Sequence, residues 1–467
     1  MQQSRSDFAV QIDGEQASND VRSAILSTEP HSLRTYTPSQ AVLAKSAGVF
    51  HWTPEGRRLF DYSSGVLVAN LGHNPRRWMN RLATYMGWDA STFSSTDDGF
   101  VQAVSMTAYN AMTSVEAAAN QRLLQSLNAS PFGQRLKTVI WAASGSEAIQ
   151  KALWACMGRD PQRPMILATR FGFHGKKGLA GAVTGSEKDP ERDPRVRFVS
   201  FPRDECSDLD SPDAPFEPAV YEHELERVWT ETEGKVGTLI TEPYLGGGGS
   251  YHPPKEYLQL LQAFCRRHNI LLILDEVQAN FGRTGRMYAF EKYEIEPDFV
   301  CLGKGLGNGI PVSAAVGPAE ICEQMGYGAT SDTWSANPLS CASVLATLDE
   351  FESTPILENT ARLNAIFVPA LKKLKQTGVI VKVRGEGMVF GIECGPIGSL
   401  SPAETANAVV RRCYEGNNGG DGIHLLGPLS GCVIRISPPM CMTESDAEHS
   451  LRLLHEFVSD VAARYAS

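Results

Sequence analysis

Ile270-Leu-Leu-Ile-Leu-Asp275-Glu276-Val277-Gln278 is a run of five apolar residues that ends on a carboxylate. Phe299-Val-Cys301-Leu-Gly303-Lys304-Gly repeats the pattern a short way on, with an amine at its end. Neither run alternates with polar residues. They read as strands with no wet face, as in a parallel sheet covered on both sides. Such sheets take their ligands at the carboxyl ends of the strands. An anion and an amine delivered to neighbouring strand ends make that edge the candidate site.

Working outward, further short apolar runs read as strands: Thr138–Trp141, Met165–Ala168, Phe198–Phe201, Thr238–Thr241 and Ala314–Val316. Many of the segments between them carry helical period, so the expected class is α/β with a mostly parallel sheet wrapped by helices. Upstream, Ala41–Lys45, Gly48–Trp52 and Arg58–Tyr62, with a turn at Pro54-Glu-Gly56, read as a small antiparallel meander. Residues 1 to about 30 read as a poorly anchored polar tail. The Pro/Asp-rich stretch from Gly185 to Pro218 reads as a solvated excursion around its one strand. Helical patterns over Ala342–Glu352 and Ile356–Leu374 lead into a second α/β region, closed by an amphipathic helix over Glu444–Arg464. The expected organisation is an N-terminal segment of a smaller domain (1–75), a large domain (76–345) and the rest of the smaller domain (346–467).

The chain has 467 residues, too many for one small core. A net charge of −10 gives no electrostatic case for nucleic acid or an anionic membrane. No apolar run approaches the roughly 20 residues of a membrane span. Met1-Gln-Gln-Ser-Arg-Ser-Asp has no signal-peptide core behind it. The ten cysteines show neither CxxC pairs nor Cys/His spacing, so no zinc site or disulfide framework is expected. These features point to a cytoplasmic protein.

A carboxylate at the end of an aliphatic run is penalised by desolvation unless a cation pairs with it. A protonated pyridine nitrogen would be such a cation for Asp275, and a helix cap or an ordinary salt bridge would serve as well. Burial lowers a lysine's pKa, and Schiff-base chemistry needs the neutral amine, so Lys304 is the matching candidate; surface charge is the plainer reading. Together they are what pyridoxal phosphate (PLP) requires. Ala143-Ser144-Gly145-Ser146-Glu147 follows a strand and opens a helix whose buried face is Ile149, Ala152, Leu153 and Cys156. Its N-terminal amides suit a phosphate, although serine capping explains the same residues. Phe173 in Phe171-Gly-Phe-His-Gly175 could lie flat on a cofactor ring or simply pack beside a turn. His174 lacks metal partners in the sequence and reads as structural or supporting. Glu242, before Pro243, is a second strand-end acid.

These residues in this order resemble the class III (ω-amino acid type) aminotransferases, PLP enzymes of fold type I. The similarity runs from about residue 38 to 465. It rests on Asp61-Tyr-Ser-Ser-Gly65, Gly72-His73, Ser144-Gly-Ser146, Phe173-His-Gly175, Glu242-Pro243, Asp275-Glu-Val-Gln278, Phe281-Gly-Arg-Thr-Gly285 and Lys304. It continues through Thr333-Trp-Ser-Ala-Asn-Pro-Leu339, Val383-Arg-Gly-Glu-Gly387 and Ile434-Arg-Ile-Ser-Pro-Pro439. The resemblance implies that Lys304 carries the Schiff base and shuttles a proton between Cα and C4′. Asp275 would hold the pyridine nitrogen, Phe173 and Val277 the ring faces, and Gln278 would lie near the phenolic oxygen. Gly145 and Ser146, with Ser144, would bind the phosphate, joined by Thr333 from the other subunit of a homodimer. Glu242 would support the cofactor, Val66 would wall the substrate pocket, and Arg435 would grip a substrate carboxylate. Arg384 falls in a motif assigned to the smaller domain, where a structural ion pair is the favoured reading.

Three positions depart from the pattern. Lys176-Lys177 stands where ornithine and 4-aminobutyrate aminotransferases usually have Arg-Thr or similar. Gly247 stands where ornithine-type enzymes carry a glutamate that neutralises the carboxylate-binding arginine. Ala279-Asn280 replaces Thr-Gly or similar. The implied activity is ping-pong transfer of an amino group from an ω-amino acid, diamine or related amine to a 2-oxo acid. A same-fold aminomutase, decarboxylase, racemase or epimerase is the alternative within PLP chemistry, and a non-catalytic binding protein of this fold is the third.

Overall fold

In a computed structural model, residues 9–30, 32, 33, 35, 37–88, 99–189, 192–417, 420–428 and 430–466 are described. Among them, three short strands come first: β1 (Lys45–Ala47), β2 (Phe50–Trp52) and β3 (Arg58–Asp61). Seven follow: β4 (Thr138–Ala142), β5 (Met165–Thr169), β6 (Val196–Val199), β7 (Val236–Thr241), β8 (Leu271–Asp275), β9 (Phe299–Leu302) and β10 (Ser313–Gly317). Then come β11 (Ile380–Glu386), β12 (Val389–Cys394), β13 (Asp421–His424) and β14 (Val433–Ile436). The chain divides into two units, Pro75–Glu358 and the combination of Met1–Asn74 with Asn359–Ser467. The smaller unit is thus built from both ends of the chain. The boundary expected near residue 345 falls inside the helix Pro338–Ser353, which groups with the large unit.

The large unit carries one seven-stranded sheet in the order β4-β10-β9-β8-β7-β5-β6. Pairing is parallel from β9 through β6, and β10 runs antiparallel to both of its neighbours. Every residue of β7, β8, β9 and β10 is buried, which is why these segments read as unbroken apolar runs. The helix Gly145–Arg159 presses Ile149, Ala152, Leu153 and Cys156 onto this sheet, each at most 2% exposed. Burying such side chains contributes about 1.5–3 kcal/mol for each large aliphatic one, so the helix is fixed to the strands it follows. The strand expected at Phe198–Phe201 is Val196–Val199. It stops there because the Ser200 N–H donates to the Glu224 carboxylate (2.8 Å) instead of to a strand.

In the small unit, the expected meander is present as β1-β2-β3, joined on its edge by β13 running parallel to β3. A second sheet pairs β11, β12 and β14 antiparallel. The N-terminal tail expectation is corrected in part: Gln16–Thr28 is a helix, while residues 1–8 lie outside the described ones. Polar contacts anchor that helix. Arg22, 3% exposed, donates to Glu15 (2.7 Å) and Tyr414 (3.0 Å), and Ser18 donates twice to Glu55 (2.8 and 2.7 Å). The terminal helix runs Glu444–Tyr465. No helix among the described residues is long and apolar enough to cross a membrane.

Candidate functional site

The segments leaving β4, β5, β7, β8 and β9 all emerge at the same edge of the large sheet. There they line a cavity of about 210 Å³ formed by Ser144, Gly145, Ser146, Phe173, His174, Glu242, Asp275, Val277, Gln278 and Lys304. That is below the roughly 300–1,000 Å³ of pockets for drug-sized ligands and suits one small, flat cofactor. A larger groove of about 520 Å³ is bordered by Glu404, Arg411, Arg412 and Asp460, but it has no strand end or convergent acid and amine.

Asp275 closes β8 and Lys304 follows β9, and these two strands pair directly, with Asp275 opposite Cys301. The Asp275 carboxylate is held on both oxygens: Oδ1 accepts the Val277 N–H (3.0 Å), and Oδ2 lies 2.7 Å from His174 Nδ1. His174 is itself buried, and the Thr184 hydroxyl accepts its backbone N–H (2.8 Å). A carboxylate with this much support keeps lone pairs free for one further donor on its cavity side.

Glu242 sits at the next strand end, 3% exposed. It accepts the N–H groups of Phe173 (2.9 Å) and Gly246 (3.2 Å), so it ties the Phe173 loop to the Gly246 loop. Burial, reinforced by the charge of Asp275, pushes its carboxyl up to about 7. Glu276, fully buried, turns the other way and receives Ala289 N–H and Phe290 N–H at 2.7 Å each, with burial raising its carboxyl to about 8. Asp275 and Glu242 both line the cavity, an arrangement that favours a cation in it.

Lys304 is half-buried and has φ +48°, a left-handed conformation that non-glycine residues adopt at a cost. Gly303 before it packs closely: a Cβ there would lie 2.7 Å from Ser313 Oγ and 3.2 Å from Val277. Asn280 belongs to the departing pair Ala279-Asn280. Its Nδ2 donates to the Gly303 carbonyl (3.1 Å) and to the Glu276 carbonyl, clamping the turn that bears Lys304 to the segment after Asp275.

Ser144 caps the helix Gly145–Arg159, its hydroxyl accepting the Glu147 N–H at 3.3 Å. That leaves the leading amides of Gly145 and Ser146 as the phosphate-type donors, because the first turn has no intrahelical acceptors for them. Gly145 also lets Val277 approach, since a Cβ would meet Val277 Cγ1 at 3.0 Å. Phe173 lines the cavity at 42% exposure. Gly247 sits against it: a Cβ at 247 would lie 3.1 Å from the Phe173 Cβ, so a glutamate there would press on the aromatic.

The remaining expected residues lie outside this cavity. Thr333 is exposed on the segment after Asp332, which is held by Lys151 at 2.6 Å. Arg435 lies in β14 at 7% exposure, and Val66 is an exposed residue of the small unit with φ +67°. Arg384 pairs with Glu393 on the neighbouring strand (2.5 Å), the structural ion pair favoured for it. The site thus fits PLP by its own chemistry: an amine, a fixed anion, phosphate-facing amides and an aromatic, around one cavity.

Comparisons with known proteins agree. The acetylornithine aminotransferase of Xanthomonas campestris pv. campestris is 29% identical over 456 residues, covering 94% of this chain and 98% of the relative. An omega-aminotransferase of Caulobacter vibrioides is 27% identical, covering 92% and 95%. The PLP-bound amine transaminase from an uncultivated Pseudomonas species superposes with a TM-score of 0.76 at 25% identity, covering 94% of this chain and 97% of that one. The Aminotransferase class-III pattern matches residues 32–458, and the chain belongs to that family.

Proposed function

We propose that this PLP-dependent enzyme moves an amino group from an ω-amino acid, diamine or related amine to a 2-oxo acid, in two half-reactions at the cavity bearing Lys304. The observation that carries this reading is the convergence of Lys304, Asp275, Phe173 and the Gly145–Ser146 amides on one cavity. When bound, PLP supplies an electrophilic carbonyl and a cationic ring that draws electrons from the substrate carbon. Lys304 would hold the cofactor through its amine and, as a neutral amine, would take a proton from the substrate Cα. Asp275 would keep the ring nitrogen protonated, with His174 and the Val277 N–H holding the carboxylate in place. Phe173 and Val277 would cover the ring faces and exclude water. Gln278 would meet the phenolic oxygen.

Arg435 would receive the carboxylate of the 2-oxo acid in a bidentate pair, a task for which lysine is poorly shaped. Val66 would wall the substrate pocket. The relatives named for acetylornithine and omega-amines support a donor whose amine is remote from its carboxylate. With glycine at 247, no glutamate is available there to neutralise Arg435, so the chain favours donors that leave this arginine to the acceptor. We assign the homodimer as the working unit, with Thr333 of one subunit serving the phosphate of the other. Large exposed apolar side chains of the large unit support a covered face: Tyr109 at 49%, Met112 at 97% and Trp334 at 64%. Ten free cysteines are consistent with a reducing, cytoplasmic setting.

The test is a half-reaction. Purified holoenzyme given a diamine or ω-amino acid alone should lose its Schiff-base absorption stoichiometrically and stall until a 2-oxo acid is added. Continuous turnover without any acceptor would make the enzyme an isomerase or decarboxylase instead.

A further inference from the structure

Strand pairing in the small unit collects a second set of reactive side chains, none of which the transfer reaction uses. His51 in β2 pairs with Leu59 of β3, Asp61 lies two residues beyond Leu59, and His424 of β13 pairs directly with Asp61. With a two-residue period, these three side chains share one face of the sheet. His73 joins them from a turn fixed by reciprocal backbone hydrogen bonds with Gly48, both 2.9 Å. His51 and Asp61 are 2% and 0% exposed.

Around Asp61 Oδ2 stand His73 Nε2 at 2.7 Å and His51 Nε2 at 3.6 Å, and all three atoms lie within 4.8 Å of one another. The orientation of His51 is fixed from behind by Ser46 Oγ, 2.7 Å from Nδ1. Its Nε2 is therefore the nitrogen turned inward. That atom is buried without a hydrogen-bond partner among the described residues, 3.6 Å being too long for one. Beside it, His424 Nδ1 is buried and unpartnered too, with the two rings 5.5 Å apart. Two buried imidazole nitrogens without a hydrogen-bond partner thus stand in the cluster around Asp61.

We propose that His51 Nε2, Asp61 Oδ2 and His73 Nε2 bind a divalent transition-metal ion of the zinc type. Two imidazoles and one carboxylate suit zinc and its late first-row neighbours, whereas calcium and magnesium take oxygen ligands. In a tetrahedral site with bonds of about 2.0–2.1 Å, ligand atoms stand about 3.3 Å apart. The His51–Asp61 pair is already near this spacing, and the His73–Asp61 pair opens by roughly half an ångström. The ion takes the place of the proton between His73 Nε2 and Asp61, and His73 binds it as a neutral imidazole with its proton on Nδ1. A water or His424 completes the coordination.

The ion would do more than fill the site. The other oxygen of Asp61 accepts Ser63 N–H (2.7 Å), Ser63 Oγ–H (2.6 Å) and Ser64 N–H (3.1 Å). These bonds start a turn in which Ser64, Gly65, Val66 and Leu67 all have positive φ, at 47°, 57°, 67° and 61°. Consecutive left-handed residues with side chains are disfavoured, and a metal-fixed Asp61 would hold them.

The test uses holoenzyme treated with a chelator, exchanged into zinc and then dialysed against plain buffer. Elemental analysis should find one zinc per chain in the wild type and none in His51→Leu, a change that removes the inward nitrogen and keeps an apolar filler. His455→Ala, on the terminal helix, should keep its zinc. The wild-type Tm should rise with zinc and fall with chelator, while His51→Leu responds to neither. Cobalt substituted for zinc should give the visible bands of a four- or five-coordinate N/O site, lost in His73→Ala. Zinc retained equally by wild type and His51→Leu, or by neither, would overturn the proposal and leave a proton-bridged network.

Discussion

Asp275 and Asp61 are the same device used in two ways. Each ends a strand, each is nearly or fully buried, and each has a histidine nitrogen 2.7 Å from its Oδ2. Asp275 spends one oxygen on a single backbone amide and faces a cavity. Asp61 gives its second oxygen to three donors of the following turn and faces other imidazoles. The first keeps capacity for a ligand's proton. The second commits one oxygen to the fold and turns the other to the imidazoles of the proposed metal site. Burial and histidine pairing alone do not mark a catalytic acid; an open lone pair beside an amine does.

Replacing the amine should have the largest effect. Lys304→Ala is expected to lower turnover by at least about a thousandfold, the combined loss of nucleophile and proton carrier, with far-UV circular dichroism unchanged and some non-covalent PLP retained. Substantial remaining activity would mean that another residue carries the chemistry. The two aspartates should then separate. Asp275→Asn should lower turnover by about a hundredfold or more with little change in Tm, whereas Asp61→Ala should cost about 3–5 kcal/mol of stability, the range for breaking a buried charge pair. If denaturant melts and turnover assays show both variants failing in the same way, the distinction collapses.

Arg435→Ala should raise KM for the 2-oxo acid by about ten- to a hundredfold, from the loss of charged hydrogen bonds worth 1.5–3 kcal/mol, with a much smaller rise for a simple amine. Equal rises would remove its carboxylate role. Asn280→Gly deletes the clamp between the Gly303 and Glu276 carbonyls, and kcat should fall by about tenfold through looser placement of Lys304. An unchanged kcat would show that the turn holds itself.

The last effect is a pH dependence of stability, not of turnover. Glu242 has its carboxyl raised from 4.5 to about 7 by burial. Between those values the folded chain keeps a proton that the unfolded chain has released, so this group's contribution to stability falls as pH rises from about 4.5 to about 7, by about 3 kcal/mol, and is level above that. Glu242→Gln has no such slope. Apart from a constant offset for its lost acceptor, its stability should gain on the wild type across that window. Parallel melting curves from pH 5 to 8 would show that the Glu242 carboxyl does not titrate there.

Much of the large unit was legible because its physics is local. Buried strands β7 to β10 are near-continuous apolar runs, and Asp275 and Lys304 stand out as charges just beyond them. What was illegible depends on polar contacts between distant segments. The helix Gln16–Thr28 is held by Arg22 and Ser18 reaching Glu15, Tyr414 and Glu55, which leave no apolar period. His174 showed no partner in its own segment, because that partner is 101 residues away. Asn280 gave a weak signal, an amide among residues otherwise fit for a core, and only folding reveals the two carbonyls it joins. The site at His51, Asp61 and His73 lacks every spacing associated with metals because sheet register assembles it.

One feature of the large sheet bears on how the enzyme meets its cofactor. Every wall of the Lys304 cavity hangs from a strand end, and three of the strands concerned are buried at every residue. The receptacle is therefore anchored to a buried sheet before anything enters it. Cofactor capture should proceed without a folding step, and the emptied protein should keep its shape and reload on mixing.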